Sequence, residues 1–299
     1  MIFYLLDVFA QERYQGNQLC VFPDAAHLTS EQMLALAREI NFAETTFITG
    51  GSIETGFQVR IFTPEYEVPF AGHPVLGTSY VIAAHFLQEP HPDLTLHLPV
   101  GPIQTRSANG LFWLQATQPR FGQTFDCDSL AELLGLSKTD FDAIQPIQWV
   151  STGLPYLIIP LLSLRPMRAI RIDAKACQEW LTAHRLYKTM RPDGLTTAFF
   201  PFCTETYSAG HQLNARMLCL ENGRMLEDAA TGSASSCLLA YLLRNRPDLG
   251  ASLRLQLEQG YEINRPSLIE LEGTLMADNV YTLHIGGRVQ FVAKGEWTL

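Results

Sequence analysis

The distribution of apolar and polar positions predicts strands and helices in alternation. Ile2 to Phe9 is an apolar, aromatic run that reads as a first strand, and Gln18 to Phe22 reads as a second, joined by a loop containing Gly16-Asn17. Thr29 or Ser30 opens a helix, with Gln32 in capping-box spacing from Thr29 and an apolar face of Met33, Leu34, Leu36, Ala37 and Ile40. β-Branched and aromatic residues resume in Asn41-Phe42-Ala43-Glu44-Thr45-Thr46-Phe47-Ile48, which puts Glu44 at a helix-to-strand junction among apolar neighbours. Phe57 to Phe62 is the next strand, followed by a turn through Pro64 and a short extended piece. From Val75 to Leu87 almost every residue is small or apolar. A helix with no polar face is a buried one, so this segment is predicted to be the axis of a domain.

Beyond it the chain is strand-rich: Leu94 to Leu98, Gly101 to Arg106 and Leu111 to Thr117, the last two joined by the hairpin dipeptide Asn109-Gly110. Gln118 to Asp126 is expected to be a connection, Ser129 to Leu136 a polar helix capped by Asp128 or Ser129, and Ala174 to Tyr187 a further helix. Strands are expected at Ile147 to Ser151, Tyr156 to Leu161 and Ala198 to Phe202, and Gln212 to Cys219 leads onward. The grammar of the first apolar helix then returns. A turn at Glu221-Asn222-Gly223 precedes Asp228, and Ala230-Thr231-Gly232-Ser233 opens a helix that is small and apolar through Leu243. Gly72 aligns with Gly232 and His73 with Ser233, which suggests duplicated halves. Four late strands follow (Leu253 to Gln259, Pro266 to Glu272, Val280 to Ile285, Arg288 to Ala293), with Gly286-Gly287 expected as a hairpin turn. The fold class predicted is α+β, each half a curved mixed sheet around one apolar helix. The halves are 1–118, joined by a returning strand at about 288–299, and 119–287.

Composition narrows the function classes. Of 299 residues, 47% are hydrophobic and 17% charged, with a formal net charge of −9, which argues against a nucleic-acid or anionic-membrane partner. The six cysteines are scattered without CxxC or zinc-ligand spacing, so no metal is expected and free thiols in a reducing compartment are the simplest reading. The first residues lack a basic n-region, Asp7 interrupts their apolar run, and no apolar run reaches membrane-spanning length, so a cytoplasmic location is expected.

Candidate chemistry gathers at the two helix starts. The first N–H groups of a helix have no internal partner and favour negative charge. His73 stands there behind Gly72, either as a capping or satisfied histidine or as a titratable group beside an anion site, and Pro74 fits a first helical turn, where a missing N–H costs little. Glu44 is either a solvated loop residue or, if buried, an acid tuned for proton transfer. Asp228 either complements the charge of a helix start or orients an imidazole. Thr231 and Ser233 read as caps rather than nucleophiles, since no Gly-x-Ser-x-Gly elbow is present, and Cys237 reads as core.

Taken together, DVF…GN around Asp7 and Asn17, NFAETTF around Glu44, RIFTPEYEVPFAGHPVLG, EDAATGSASS and QGYEINRPS run from the first strand to the last. In these blocks the chain resembles the PhzF-like family of phenazine-biosynthesis isomerases, within the diaminopimelate epimerase-like fold. The resemblance implies two pseudo-symmetric domains, each a mixed barrel-like sheet around a central helix, with the active site where the helix N-termini meet. It also implies a homodimer that needs no cofactor and no metal. On this resemblance Glu44, His73 and Asp228 are catalytic. Gly72, Gly232 and Ser233 cradle a substrate carboxylate through backbone amides, and Thr231 and Asn17 join them at the substrate. Racemases of the fold carry cysteines at the helix starts, where this chain has Ala71 and Thr231, so two-thiol chemistry is not expected. Gln18, Ala229 and Ser235-Ser236 depart from the family pattern beside the site. The expected function is a proton shift on a small carboxylate-bearing substrate, similar to trans-2,3-dihydro-3-hydroxyanthranilate isomerase. The alternatives are an epimerase or racemase of an amino-acid-like substrate that does not use two cysteines, or a non-catalytic small-acid binding protein.

Overall fold

The computed structural model describes residues 1–87 and 93–298. The chain divides into two compact units, Met1–Gln115 with Gly286–Leu299, and Ala116–Ile285. Leu299, the end of the expected C-terminal strand, lies outside the described residues.

The first unit runs β1 (Ile2–Val8), β2 (Asn17–Phe22), α1 (Ser30–Ile40), β3 (Glu44–Ser52), β4 (Gly56–Phe62), β5 (Glu67–Val68), α2 (Gly72–His85), β6 (Asp93–Leu98), β7 (Gly101–Ala108) and β8 (Leu111–Gln115). The last strand, Val289–Glu296, pairs antiparallel with β1. β1 pairs antiparallel with β2, β2 parallel with β3, β3 antiparallel with β4, β4 parallel with β6, and β6 antiparallel with β7. Each parallel step needs a crossover, and α1 and α2 supply them. Thr29 caps α1 through the full capping box with Gln32, and Asn41, left-handed at φ 55°, ends it and turns the chain into β3. Glu44 is thereby the first residue of a strand. Asn109 and Gly110 take positive φ (54° and 74°), as a tight two-residue hairpin between β7 and β8 requires.

Helix α2 is buried from His73 through Ser79 and again at Val81 and Ile82. Gly77 brings it onto the sheet: a Cβ there would lie 2.4 Å from Leu19 Cδ2 and 2.9 Å from Val8 Cγ2. The hydroxyl of Thr78 donates to Thr46 Oγ1 on β3 at 2.9 Å, tying the first turns of the helix to the strand that carries Glu44.

The second unit comprises β9 (Arg120–Phe125), α3 (Cys127–Leu134), β10 (Ile147–Ser151), β11 (Pro155–Pro160), α4 (Leu164–Ala169), α5 (Ala174–Ala183), β12 (Ala198–Cys203), β13 (Leu213–Ala215), β14 (Met217–Glu221), β15 (Arg224–Asp228), α6 (Gly232–Asn245), β16 (Ser252–Gln259), β17 (Ser267–Leu275) and β18 (Tyr281–Gly287), whose final two residues belong to the first unit. β10 pairs antiparallel with β11, β11 parallel with β12, β12 antiparallel with β13, β13 parallel with β16, and β16 antiparallel with β17. This is the same succession as β1-β2-β3-β4-β6-β7 in the first unit. Both crossover helices, α2 and α6, are 14 residues long and begin at a glycine. The duplication read from two short motifs extends to the strand pairing, and the architecture is α+β.

Several local expectations are corrected. The connection expected over 118–126 contains strand β9, which pairs with β10. Asp126, not Asp128 or Ser129, caps the following helix, its carboxylate accepting the Asp128 N–H at 2.9 Å. That start turns Leu130, Ala131, Leu133 and Leu134 inward, so the helix is not polar but amphipathic. Helix α4 has no counterpart in the sequence reading; its Pro166 occupies the first turn, where proline is tolerated. Helix α5 stops at Ala183 rather than Tyr187, and Arg185 beyond it is left-handed. Gly286 and Gly287 lie within β18 and make no turn. A Cβ on either would come within 2.4 Å of an aromatic ring, Trp113 for Gly286 and Phe9 for Gly287, so these glycines admit rings rather than reverse the chain.

The contact at Gly77 can be tested directly. Val8 and Leu19 are fully buried and have no room to retreat. Gly77→Val is expected to lower unfolding stability by about 1–3 kcal/mol through overpacking, read from the urea midpoint at constant m-value.

Candidate active site

In the first unit the site is built where β2, β3 and the start of α2 converge. The parallel register sets Leu19 of β2 beside Glu44, and the residue before it, Gln18, hydrogen-bonds through its backbone to the His73 ring. Glu44 Oε2 lies 3.5 Å from His73 Nε2, with 6% of the His73 side chain and 20% of the Glu44 side chain exposed. Nε2 makes no hydrogen bond among the described residues, so the bond to Gln18 is made by Nδ1. Burial pushes the His73 pKa down to about 3, against the Gln18 bond, which acts in the opposite direction. The imidazole is therefore neutral at neutral pH, and its contact with Glu44 is not an ion pair. With the proton on Nδ1, the Nε2 lone pair faces the carboxylate. A 3.5 Å separation is loose for a hydrogen bond.

No side chain caps α2, because its N-cap is Ala71. Its first amides, on Gly72 and His73, belong to a helix start that favours an anion. Asn17 is buried at the beginning of β2, opposite Val8. Asp7 is buried too, and its carboxylate accepts the Tyr14 N–H at 2.6 Å, which folds the intervening loop back on the strand. Gln18, a departure from the family pattern, has an exposed side chain, and it is its backbone that holds the histidine.

In the second unit β14 and β15 form a hairpin through Asn222 and Gly223, both at positive φ, which sets Met217 opposite Asp228. Successive side chains of a strand point to opposite faces. Glu227 accordingly turns to Arg216, which grips it with two bonds of 2.9 and 2.6 Å, while Asp228 points the other way. Asp228 Oδ2 accepts the Thr231 hydroxyl at 2.5 Å. Thr231 is the N-cap residue of α6, yet its side chain makes no cap bond, so the capping role expected of it is corrected: the hydroxyl serves Asp228 instead. Ser233 does not cap either. Its Oγ lies 2.7 Å from the buried phenol of Tyr156. Ser235 and Ser236 bond back to the Thr231 and Ser233 carbonyls at 2.8 and 2.7 Å, and so occupy the helix interior without breaking it. Cys237 is core, its thiol pushed up to about 12 by burial.

Each unit thus assembles its own group: Glu44 and His73 beside Gly72 in the first, with Asn17 at the start of β2 in the same unit, and Asp228, Thr231, Gly232 and Ser233 in the second. Two participants escaped the sequence reading. Tyr156 looked like an ordinary strand residue. Gln259 lies in QGYEINRPS, a block that carried the resemblance without suggesting a role. Among the described residues no helix is long and apolar enough to cross a membrane, and no group of three or more His, Cys, Asp or Glu is placed to hold a metal ion.

Comparison with known proteins identifies the family. The profile of the family described as phenazine biosynthesis-like protein (PhzC-PhzF) matches residues 6–295. An uncharacterized isomerase of Pasteurella multocida is 32% identical over 304 residues, covering 98% of this chain and 93% of the relative. The trans-2,3-dihydro-3-hydroxyanthranilate isomerase of Pseudomonas aeruginosa is 29% identical over 296 residues, covering 98% of each. Among solved structures, a PhzF-family phenazine biosynthesis protein of Bacillus anthracis superposes with a TM-score of 0.86 at 25% identity, covering 100% of this chain and 99% of that one. The chain belongs to the phenazine biosynthesis-like family and, with the curated relatives it matches, is an isomerase.

Proposed function

We propose that the protein isomerises a small carboxylate-bearing molecule by moving a proton between two carbons of one conjugated framework, with Glu44 as the group that takes the proton and returns it. The observation that carries this reading is the Glu44 carboxylate set 3.5 Å from a buried, neutral His73 at an uncapped helix start. In the forward step the C–H bond breaks, its electron pair enters the conjugated system, and Glu44 receives the proton. In the second step Glu44, whose proton exchanges with solvent, delivers a proton to another carbon and the double bonds shift. No redox change occurs, so no oxidant or reductant is consumed. His73 offers a lone pair at Nε2 that accepts a hydrogen bond from protonated Glu44 or from a substrate hydroxyl. Asp228 is the third polar group, and it positions the substrate. The amides of Gly72, Gly232 and Ser233, with Asn17, hold the carboxylate and stabilise charge as it develops.

The substrate of the Pseudomonas aeruginosa relative, a hydroxylated cyclic amino acid, indicates the chemical class. The same reading makes the protein a cytoplasmic homodimer that acts without a cofactor. The free cysteines fit a reducing compartment. Epimerisation through two thiols is not favoured, because Ala71 and Thr231 occupy the helix starts and the thiols of Cys177, Cys203 and Cys237 are pushed up to about 12.

The decisive experiment follows trans-2,3-dihydro-3-hydroxyanthranilate and a panel of small cyclic and amino-acid carboxylates by NMR in deuterated water. Double-bond migration with label at a single new carbon is expected. Inversion without migration would replace the reading with epimerisation, and no exchange on any compound would overturn it. Glu44→Gln should then lower kcat by about 10²–10⁴-fold with the thermal midpoint unchanged, since the amide keeps the shape and loses the base.

His73 also makes a prediction about stability. Its folded pKa lies below its unfolded value near 6.5, so between the two the unfolded chain binds the extra proton. Its contribution is fully present above about pH 6.5 and is lost as the pH falls towards 3. Urea midpoints measured between pH 7 and pH 4.5 should therefore fall less steeply for His73→Gln than for the unaltered protein.

A further inference from the structure

The amide of Gln259 is held at both ends by main-chain groups of the segment that bears Asp228. Its Oε1 accepts the Thr231 N–H at 3.1 Å, and its Nε2 donates to the Asp228 carbonyl at 2.9 Å and to Thr231 Oγ1 at 3.0 Å. Gln259 is fully buried. A backbone donor at one end and a backbone acceptor at the other leave one orientation for the amide, since the flipped form would set carbonyl against carbonyl and N–H against N–H. This fixes the hydroxyl as well. Thr231 Oγ1 receives the Gln259 N–H, so its own proton points away, along the 2.5 Å contact to Asp228 Oδ2. The hydrogen bonds run in one direction: Gln259 amide to Thr231 hydroxyl to Asp228 carboxylate.

From this geometry we infer that Gln259 and Thr231 are positioning residues that hold Asp228 as an oriented carboxylate acceptor, with Thr231 acting on Asp228 and not on the substrate. The Thr231 N–H is engaged by Gln259 and the hydroxyl by Asp228, so neither is left to cradle a substrate carboxylate. Two further contacts hold the same segment. Ser267 donates to the Ala229 carbonyl at 2.9 Å, and Gly260, left-handed at φ 79°, lets the Ala229 carbonyl approach within 2.6 Å of where a Cβ would stand. This gives QGYEINRPS a physical role: its first two residues and its last form a bed for the segment Asp228 to Thr231. Among the described residues, the titratable groups near Asp228 include the Tyr156 phenol on β11, and Glu227, which is already bound to Arg216. Neither replaces a hydroxyl donor at Oδ2.

The inference concerns the group that the proposed isomerisation uses, and its test does not need a substrate. The Asp228 carboxyl carbon is followed by NMR through a pH titration of the full protein, assigned with Asp228→Asn. In Thr231→Val, which keeps the shape and removes the hydroxyl, the Asp228 titration should move to higher pH, because a carboxylate loses a hydrogen bond that stabilises its charged form. Thr231→Ser should restore the original midpoint, and Gln259→Glu, which loses the directing N–H, should move it as Thr231→Val does. An unchanged midpoint in Thr231→Val overturns the inference. If that variant does not fold, the unaltered protein decides: the Gln259 side-chain amide resonances should shift through the Asp228 midpoint, and flat resonances overturn it. If turnover is found, Thr231→Val should lower kcat about tenfold at constant KM. Absence of turnover on every carboxylate bears on the isomerase reading alone and leaves the titration result standing.

Discussion

A helix enclosed on every side can offer chemistry only at its ends, and this constraint governs both units. α2 is buried through its first two turns, and α6 from Ala234 to Leu243. Neither start carries a side-chain cap. Forgoing a cap costs about 1 kcal/mol. Full burial of one Val or Leu contributes about 1.5–3 kcal/mol, and Val75, Leu76, Leu238 and Leu239 are all fully buried. The apolar helix therefore tolerates an unfinished N-terminus, and what remains there is a set of amides that favours an anion. In α2, Gly77 then lets the helix lie close enough to β1 and β2 for His73 to reach the Gln18 carbonyl.

Each unit places one carboxylate beside its helix start, but the settings are unlike. Glu44 opens a strand and faces a neutral imidazole across a loose 3.5 Å contact. Asp228 closes a strand and is bound by a hydroxyl at 2.5 Å, which is itself oriented by a buried amide. At Asp228 a directed chain of hydrogen bonds fixes the orientation of the carboxylate. A duplicated scaffold thus carries its two carboxylates in different settings.

What could be read from the sequence was mostly what local chemistry decides. The Thr29 capping box, the Asn109-Gly110 hairpin and the Asn222-Gly223 turn all formed as their residues dictate. Burial of the Val75 to Ile82 stretch followed from its lack of a polar face. The misreadings share a cause, which is packing from a distance. Gly286 and Gly287 resemble a turn until Trp113 and Phe9 are set against them. Asp126, Asp128 and Ser129 are equally good caps in isolation, and only the inward leucines choose among them. At the site, Glu44, His73 and Asp228 stood out as residues, but the neutrality of His73 depends on burial that no spacing reveals. Thr231 and Ser233 looked like caps because their type favours capping, and stronger local partners, Asp228 and Tyr156, claimed their hydroxyls.

Gln259 shows why such partners are hard to see in advance, and also how they are held in place. It is the last residue of β16 and stands opposite Ser267, the first of β17, so one pair of cross-strand neighbours supports the backbone of Asp228 to Thr231. The residue before it, Glu258, faces the other side of the strand and is fully buried. Four donors converge on that carboxylate: Tyr207 N at 2.7 Å, Ser208 N and His211 Nδ1 at 2.8 Å, and Asn214 Nδ2 at 3.2 Å. A buried carboxylate is tolerated only when it is satisfied in this way, and breaking such a cluster leaves a desolvated charge at a cost of about 3–5 kcal/mol. The loop carrying Tyr207, Ser208 and His211 and the end of β16 are therefore locked to each other. That lock limits the movement available to Gln259, and through Thr231 it limits the movement available to Asp228. The position of Asp228 thus traces back to a residue two hydrogen bonds away, on a strand whose sequence offers no local sign of it.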